Sequence, residues 1–236
     1  MTSQFSGDRA PIAVAIDTPD RETAALWSNA VSPYVQLVKI GLELFCRTGP
    51  DIVNVVRGGT GVGLFLDLKL HDIPNTVAGA ASAVARLTPT YLTGHATGGA
   101  AMIRAAVDAA PDVRIAAVTV LTSLDEDAMY AIGLRGPASD AAKRLAVLAV
   151  GAGARALVCS PHEVAALRAE VGPDVVLITP GVRPAGSDVG DQARVATPAQ
   201  ALADGADLLV IGRPITRASD PGAAAAAIAA SLPAPN

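Results

Sequence analysis

Residues 11–20 read Pro-Ile-Ala-Val-Ala-Ile-Asp-Thr-Pro-Asp, an apolar run that ends abruptly in a polar turn. This run predicts a buried β-strand over Ile12–Ile16. A doubly wound open sheet that binds dinucleotides would carry a G-x-G-x-x-G turn after its first strand, but positions 17–20 contain no glycine. The segment therefore disfavours that class of open sheet and favours another parallel α/β fold.

Similar apolar runs recur along the chain, and Ala- and Leu-rich segments of helical length separate them. This alternation is typical of a parallel sheet covered by helices, and the continuously apolar Ile115–Leu121 and Leu208–Ile211 fit strands buried on both faces. Eight such units predict a closed (β/α)8 TIM barrel. The predicted strands are Ile12–Ile16, Val35–Ile40, Leu64–Leu68, Tyr91–His95, Ile115–Leu121, Ala156–Cys159, Val175–Thr179 and Leu208–Ile211.

The helical segments are rich in alanine, as in Ala141–Ala149 and Ala223–Ala230. Asn75 or Thr76, just after Pro74, is predicted to cap a helix that runs to about Leu87. No linker or change in composition divides the chain, so we expect one domain over residues 1–236. Residues 1–10 are predicted to form a polar tail without the features of a secretory signal.

Composition excludes several classes of function. The net charge of −4 and the pI near 5.3 give no electrostatic support for binding nucleic acid or an anionic membrane. Charged residues, glycines and prolines interrupt every apolar stretch before it reaches the roughly 18 residues of a membrane span. These features favour a cytoplasmic protein that acts on a small molecule.

Cysteines and histidines give no indication of a disulfide or a metal site. Cys46 and Cys159 are far apart in the sequence, and both are predicted to be buried apolar residues. His71, His95 and His162 are too scattered for a zinc-type cluster. We therefore expect no metal, and no motif for an organic cofactor is present.

Charged residues lie at the carboxyl ends of several predicted strands or just after them, at the barrel end where active sites lie. They are Asp17, Lys39, the segment 67–72 (Asp-Leu-Lys-Leu-His-Asp) and Arg213, which follows Gly212. Asp67 and Lys69 are two apart on a strand, so their side chains should share a face. A short D-x-K-x-x-D pattern can also arise by chance and form an ordinary salt-bridge network worth under about 1 kcal/mol per pair.

The orotidine 5′-phosphate decarboxylase family has a signature that closely resembles residues 67–77, Asp-Leu-Lys-Leu-His-Asp-Ile-Pro-Asn-Thr-Val. The resemblance covers almost the whole chain. It implies a cofactor-free lyase of pyrimidine biosynthesis that converts orotidine 5′-phosphate to uridine 5′-phosphate. Further blocks that look like the family's, in its order, are Ile16-Asp17, Val38–Gly41, His95–Gly99, Val118–Ser123, Thr179–Arg183 and Val210–Ile215.

The resemblance also implies roles for individual residues. Lys69 would donate the proton, flanked by Asp67, while Asp17 and Lys39 would hold the ribose hydroxyls. The catalytic array would be Lys39, Asp67, Lys69 and Asp72. Asp72 and Thr76 would reach the site of the partner subunit, which makes the active form a homodimer with shared sites. Ile73 would also contact the substrate. Thr122 or Ser123 would contact the pyrimidine edge, with Thr122 favoured. The residues around the phosphate would be Arg183, Gln192, Gly212 and Arg213.

The phosphate assignment has a physical basis in the residues themselves. Gly212 allows a backbone N–H to approach closely, and Arg213 offers a forked donor to phosphate oxygens. One charge pair near 4 Å supplies about 4 kcal/mol at an effective dielectric of 20, or roughly three powers of ten in rate. One such pair is not enough for this decarboxylation. We therefore expect phosphate binding to close a lid, predicted at residues 184–194, that orders the charged residues.

Two rival interpretations stay open at this point. A metal-dependent sugar-phosphate lyase of the same suprafamily, such as a ketogulonate-phosphate decarboxylase or hexulose-phosphate synthase, would share the D-x-K-x-x-D core. Lys39 argues against it, since a cation there would repel magnesium. A non-catalytic barrel that binds nucleotide phosphates is the second rival, because a fold does not guarantee an activity.

Overall fold

The computed structural model describes residues 9–184 and 196–233. Eight strands alternate with helices along the chain, as the sequence predicts. The strands are β1 (Ala10–Ala15), β2 (Val35–Gly41), β3 (Gly63–Leu70), β4 (Tyr91–His95), β5 (Arg114–Val118), β6 (Ala156–Val158), β7 (Val176–Thr179) and β8 (Leu208–Ile211).

The strands close into a barrel in the order of the sequence. Each strand pairs in parallel with the next, and β1 also pairs with β8, so that Ala13 lies between Leu37 and Val210. The predicted (β/α)8 TIM barrel is therefore confirmed. Parallel closure brings the carboxyl ends of all eight strands to one rim, where the loops that follow them meet.

The helices pack around the outside of the barrel. They are α1 (Arg21–Val31), α2 (Leu42–Thr48), α3 (Ile52–Arg57), α4 (Pro74–Ala85), α5 (Gly99–Ala109), α6 (Glu126–Ala131), α7 (Ala138–Gly151), α8 (Val164–Val171), α9 (Pro198–Ala203), α10 (Arg213–Thr216) and α11 (Pro221–Ala230). Among the described residues, no helix is long and apolar enough to cross a lipid bilayer.

Two apolar clusters support the barrel. The larger lies between the strands and the helices, and the smaller lies inside the barrel. Within the inner cluster the rings of Phe65 and Tyr91 meet edge to face, with centroids 5.9 Å apart. Burial of both rings fills the barrel interior, so the open space lies toward the carboxyl rim.

The start of α4 differs from the sequence-based prediction. Asn75 and Thr76 do not cap the helix, because Pro74 already occupies its first turn and Ile73 is the capping residue, without a side-chain hydrogen bond. Proline is suited to the first helical position, since its ring fixes a helical φ and its missing N–H would have no helical partner there. The helix also ends at Ala85, two residues before the predicted end at Leu87.

The predicted polar tail is too long by at least two residues. Ala10 begins β1, and the guanidinium of Arg9 donates hydrogen bonds of 3.1 Å to the carbonyl oxygens of Thr60 and Gly61. Arg9 therefore ties the start of the barrel to the turn before β3. Residues 1–8 lie outside the described part of the chain.

The two cysteines differ in burial, whereas the sequence predicted that both are buried. Cys159 is buried as predicted, but Cys46 is exposed. Cys46 lies in α2, where Leu44 is the buried residue. Residues two apart on an α-helix are rotated by about 200°, so the burial of Leu44 directs Cys46 toward solvent.

Candidate active site

A cavity of about 540 Å³ opens at the carboxyl rim of the barrel. Residues from all parts of the described chain contribute to it, and charged, polar and apolar side chains occupy different sectors. Its lining includes Ala15, Asp17, Trp27, Lys39, Phe65, Asp67, Lys69, Val118, Val120, Leu121, Thr122, Val158, Cys159, Pro180, Gly181, Arg183, Val210, Gly212, Arg213, Thr216 and Arg217.

Four charged side chains from β2, β3 and the loop after β1 form a continuous array of alternating sign in this cavity. Lys69 Nζ lies 2.8 Å from Asp67 Oδ1, and Lys39 Nζ lies 3.5 Å from Asp67 Oδ2. The Lys39 ammonium also lies 3.3 Å from Asp17 Oδ1. We refer to Asp17, Lys39, Asp67 and Lys69 as the charge array.

The charge array is largely shielded from water at its centre. The side chains of Lys39 and Asp67 are 8% and 14% exposed, whereas those of Lys69 and Asp17 are 30% and 55% exposed. Burial acts to raise the pKa of Asp67, but the positive charges of Lys39 and Lys69, with hydrogen bonds from Lys69 and Thr93, outweigh it and lower that pKa. Asp67 is therefore an ionised carboxylate held between two cations at neutral pH.

Lys69 reaches the cavity from an unusual backbone conformation. Its φ of 49° lies in the left-handed region, which residues with a side chain rarely adopt. The register between β3 and β4 shifts at this point, because β3 advances four residues from Leu66 to Leu70 while β4 advances two from Leu92 to Gly94. A bulge in β3, and not simple strand alternation, thus aims Lys69 beside Asp67.

The predicted phosphate-binding residues lie on the β7 and β8 side of the same cavity. Arg183 is 8% exposed and follows β7, and Gly212 and Arg213 follow β8. These are the loops in which (β/α)8 barrels often bind phosphate. Gln192 and the predicted lid from residue 185 to residue 194 lie outside the described residues.

The two candidates for the pyrimidine edge differ in position. Thr122 lines the cavity, whereas Ser123 is not among the residues that line it. The adjacent wall consists of apolar residues, among them Val118, Val120 and Val158. This wall can cover the face of a flat ring while Thr122 offers a hydroxyl at its edge.

The predicted cross-subunit residues Asp72 and Thr76, and the predicted substrate contact Ile73, lie away from the cavity of their own chain. Asp72, Ile73 and Thr76 are exposed, and none of them lines the cavity. The Asp72 carboxylate accepts a hydrogen bond of 2.6 Å from the backbone N–H of Ile73. Within one chain, the D-x-K-x-x-D pattern therefore brings Asp67 and Lys69 together but does not bring Asp72 to them.

Several residues of the site were not predicted from the sequence. Trp27, Thr216 and Arg217 line the cavity, and Thr93 contacts the charge array from β4. Thr216 and Arg217 lie at the end of α10, a few residues after Gly212, so their place in the segment after β8 was a usable signal. Thr93 gave no such signal, because a buried threonine inside a strand is ordinary.

Two of the histidines lie close together, but the described residues contain no candidate metal site. The rings of His71 and His95 lie with centroids 5.3 Å apart. Burial lowers the pKa of His95, and nearby His71 and Lys69 lower it further. Within residues 9–184 and 196–233, no group of three or more acidic, histidine or cysteine residues is arranged to hold a metal ion.

A closed barrel with a cavity and a partly buried array of alternating charges at its carboxyl rim is typical of a (β/α)8-barrel enzyme. More narrowly, the chain belongs to the orotidine 5′-phosphate decarboxylase / HUMPS family, whose model matches residues 10–228. An orotidine 5′-phosphate decarboxylase of Thermobifida fusca is 72% identical over 94% of this chain and 96% of its own length. One of Frankia casuarinae is 62% identical over 95% of this chain and 88% of its own.

Solved structures agree with this assignment. The crystal structure of orotidine 5′-phosphate decarboxylase from Lactobacillus acidophilus superimposes with a TM-score of 0.81 at 38% sequence identity. The superposition covers 93% of this chain and 97% of that one. The resemblance predicted from the sequence is therefore confirmed at the level of family and fold.

Proposed function

We propose that this protein is a carboxy-lyase that converts orotidine 5′-phosphate to uridine 5′-phosphate in pyrimidine biosynthesis, with Lys69 as the proton donor. The observation that carries the proposal is the charge array, with Lys69 Nζ 2.8 Å from Asp67 Oδ1 inside the cavity. Relatives that carry the name of this enzyme and match nearly the whole chain support the same activity.

The reaction breaks the bond between C6 of the pyrimidine and its carboxylate carbon. Carbon dioxide leaves, and the electron pair stays on C6 as a carbanion. The Lys69 ammonium faces this charge as it develops and then transfers a proton to C6, which gives the product. The Asp67 carboxylate orients that ammonium, and Lys39 on its other side keeps Asp67 ionised.

The remaining contacts are assigned by position. Asp17 and Lys39 hold the ribose hydroxyls, Thr122 contacts the pyrimidine edge, and Arg183, Gly212 and Arg213 surround the phosphate. Gln192 is assigned to the phosphate by family resemblance alone. Ser123 is the weaker alternative to Thr122, because it is not among the residues that line the cavity.

The position of Lys39 favours this activity over a metal-dependent sugar-phosphate lyase. Its ammonium lies within 3.5 Å of both Asp17 and Asp67, so the space between the two carboxylates already holds a cation. A divalent metal ion placed there would meet that charge at short range. We therefore expect full turnover of orotidine 5′-phosphate in excess chelator.

The deciding experiment compares the parent protein with K69A and K143A. Conversion of orotidine 5′-phosphate is followed by ultraviolet absorbance in chelator. Lys143 pairs with Asp140 on the exposed surface of α7, so K143A is a matched control that removes a lysine away from the cavity. We expect K143A to match the parent and K69A to stay folded with turnover at least 1,000-fold lower. Substantial turnover by K69A would refute the assigned role, and an inactive parent would favour the non-catalytic barrel.

We further propose a cytoplasmic, one-domain protein that forms a homodimer with shared sites. Support comes from Asp72, Ile73 and Thr76, which are exposed and away from the cavity of their own chain. If Asp72 and Thr76 complete the partner's site, the exposed Ile73 is covered in the dimer, where its 66% exposure would otherwise leave an apolar side chain in water.

Mixing two inactive variants tests the shared site. In a hybrid of K69A and D72A subunits, one of the two sites combines native Lys69 with native Asp72. Random reassociation should therefore restore about a quarter of the parental activity. No recovery after confirmed subunit exchange would mean that Asp72 acts within its own chain or not at all.

A further inference from the structure

Thr93 lies in the middle of β4, fully buried and behind the charge array. It does not line the cavity, so it does not contact a bound substrate. Its hydroxyl nevertheless makes two hydrogen bonds, and both go to residues of the charge array. The Oγ1 atom accepts from the backbone N–H of Lys69 at 2.8 Å and donates to Asp67 Oδ1 at 3.0 Å.

The first hydrogen bond holds the bulge of β3. Parallel strands satisfy their backbone N–H groups with carbonyl oxygens of the neighbouring strand, but the shift between Leu66 and Leu70 interrupts that ladder. The N–H of Lys69 uses the Thr93 hydroxyl as its acceptor in place of a β4 carbonyl. The bond therefore stabilises the left-handed backbone of Lys69, which sterics disfavour for a residue with a Cβ atom.

The second hydrogen bond fixes the carboxylate. Asp67 Oδ1 accepts from both Lys69 Nζ and Thr93 Oγ1, so one oxygen atom receives the ammonium and the hydroxyl together. A hydroxyl has one proton to donate and lone pairs to accept with, so Thr93 can make both bonds at once. One buried hydroxyl thus connects the backbone of the proton donor with the side chain that orients its ammonium.

We infer that Thr93 is a positioning residue for the proposed decarboxylation, which holds the bulged backbone of Lys69 and the Asp67 carboxylate in register. The inference rests on the proposed function for its kinetic consequence. The structural consequence is independent of that function, because the bulge and the contact between the Lys69 ammonium and the Asp67 carboxylate exist without substrate.

Three variants separate the hydroxyl from the shape of the side chain. T93V keeps the volume and removes both hydrogen bonds, and T93S keeps the hydroxyl and removes a methyl group. T119V is the matched control, because Thr119 is also buried but its hydroxyl bonds the backbone carbonyl of Val158. T93A takes the place of T93V if the valine variant does not fold.

The kinetic arm measures kcat and KM for orotidine 5′-phosphate on folded variants with matched circular dichroism. Loss of a hydrogen bond to a charged group corresponds to roughly a 10- to 100-fold decrease in rate, and we expect T93V to lower kcat by that factor. KM should change less than about threefold, because the phosphate and ribose contacts remain. T93S and T119V should stay within about threefold of the parent in both constants. Parental kcat in T93V, or an equal loss in T93S or T119V, would overturn the inference.

Crystal structures of T93V and T93S supply a second measurement that needs no turnover. We expect Lys69 to leave positive φ in T93V, or its ammonium to move beyond hydrogen-bond distance of Asp67, while T93S retains both. An unchanged bulge and contact in T93V would defeat the positioning role whatever the activity. A parent protein without decarboxylase activity would defeat the proposed function and still leave this crystallographic test decisive.

Discussion

Substitution of Gly41 by alanine is the most direct test of how the charge array is packed. A Cβ atom at this position would lie 2.9 Å from Asp17 Oδ1 and 3.0 Å from Lys39 Nζ. The φ of Gly41 is −91°, which alanine adopts without strain. The substitution therefore acts through these two contacts, and the carboxylate and the ammonium must both move.

The size of the effect follows from the proposed role of these two groups. Asp17 is about half exposed, so its pairing with Lys39 contributes no more than about 1 kcal/mol to stability and the loss in Tm should be small. Each hydrogen bond from a charged group to a ribose hydroxyl contributes about 1.5–3 kcal/mol to binding. Displacement of the two groups that weakens binding by the equivalent of one such bond should lower kcat/KM by roughly 10- to 150-fold.

Steady-state kinetics with orotidine 5′-phosphate measure this effect, and G151A is the matched control. Gly151 ends α7, and a Cβ there would meet no atom within 4 Å. We expect G151A to retain parental kinetics and to gain up to about 1 kcal/mol in stability. A folded G41A variant with kcat/KM within threefold of the parent would refute the assigned packing of Asp17 and Lys39.

Other consequences concern the phosphate, the thiols and acid stability. R213A should raise KM for orotidine 5′-phosphate at least tenfold and leave the slow turnover of phosphate-free orotidine unchanged; equal losses on both substrates would contradict the phosphate assignment. Burial raises the pKa of Cys159 to about 12, so a thiol reagent should label Cys46 in the native protein and Cys159 only after unfolding. The folded-state pKa of Asp67 is lowered from 3.8, so its contribution to stability is present above that pH and is lost as pH falls through the lower value. The difference in Tm between the parent and D67N should therefore shrink below about pH 3.8, and a constant difference would contradict the lowered pKa.

The barrel could be predicted because each of its units carries the same signal. Buried parallel strands are apolar on both faces, so β8 appears in the sequence over the same residues that form it, Leu208–Ile211. The prediction for β5 ran to Leu121, whereas the strand ends at Val118. Val120 and Leu121 are apolar because they line the cavity, and hydrophobicity alone does not separate a strand from a cavity wall.

The charge array could be predicted in part for a related reason. Asp17, Lys39 and Asp67 are charged residues at the ends of apolar strands, where burial of a charge requires a partner. The bulge at Lys69 could not be predicted, because it depends on the register between β3 and β4, and the sequence does not state which residues face each other. The hydrogen bonds of Thr93 could not be predicted for the same reason, because that register determines which residues Thr93 contacts.

The order of the strands explains why the site has two chemically different halves. In a closed ring of eight, β3 and β7 lie on opposite sides, and Lys69 on β3 and Arg183 in the segment after β7 both line the cavity. A charge pair near 4 Å supplies about 4 kcal/mol, or roughly three powers of ten in rate, so the charge array alone is a modest source of catalysis. In the proposed mechanism, the phosphate contacts on the β7 and β8 side do not touch the carbanion at C6. We therefore expect these contacts to raise kcat by using phosphate binding to hold C6 against the Lys69 ammonium, which the β3 bulge aims beside Asp67.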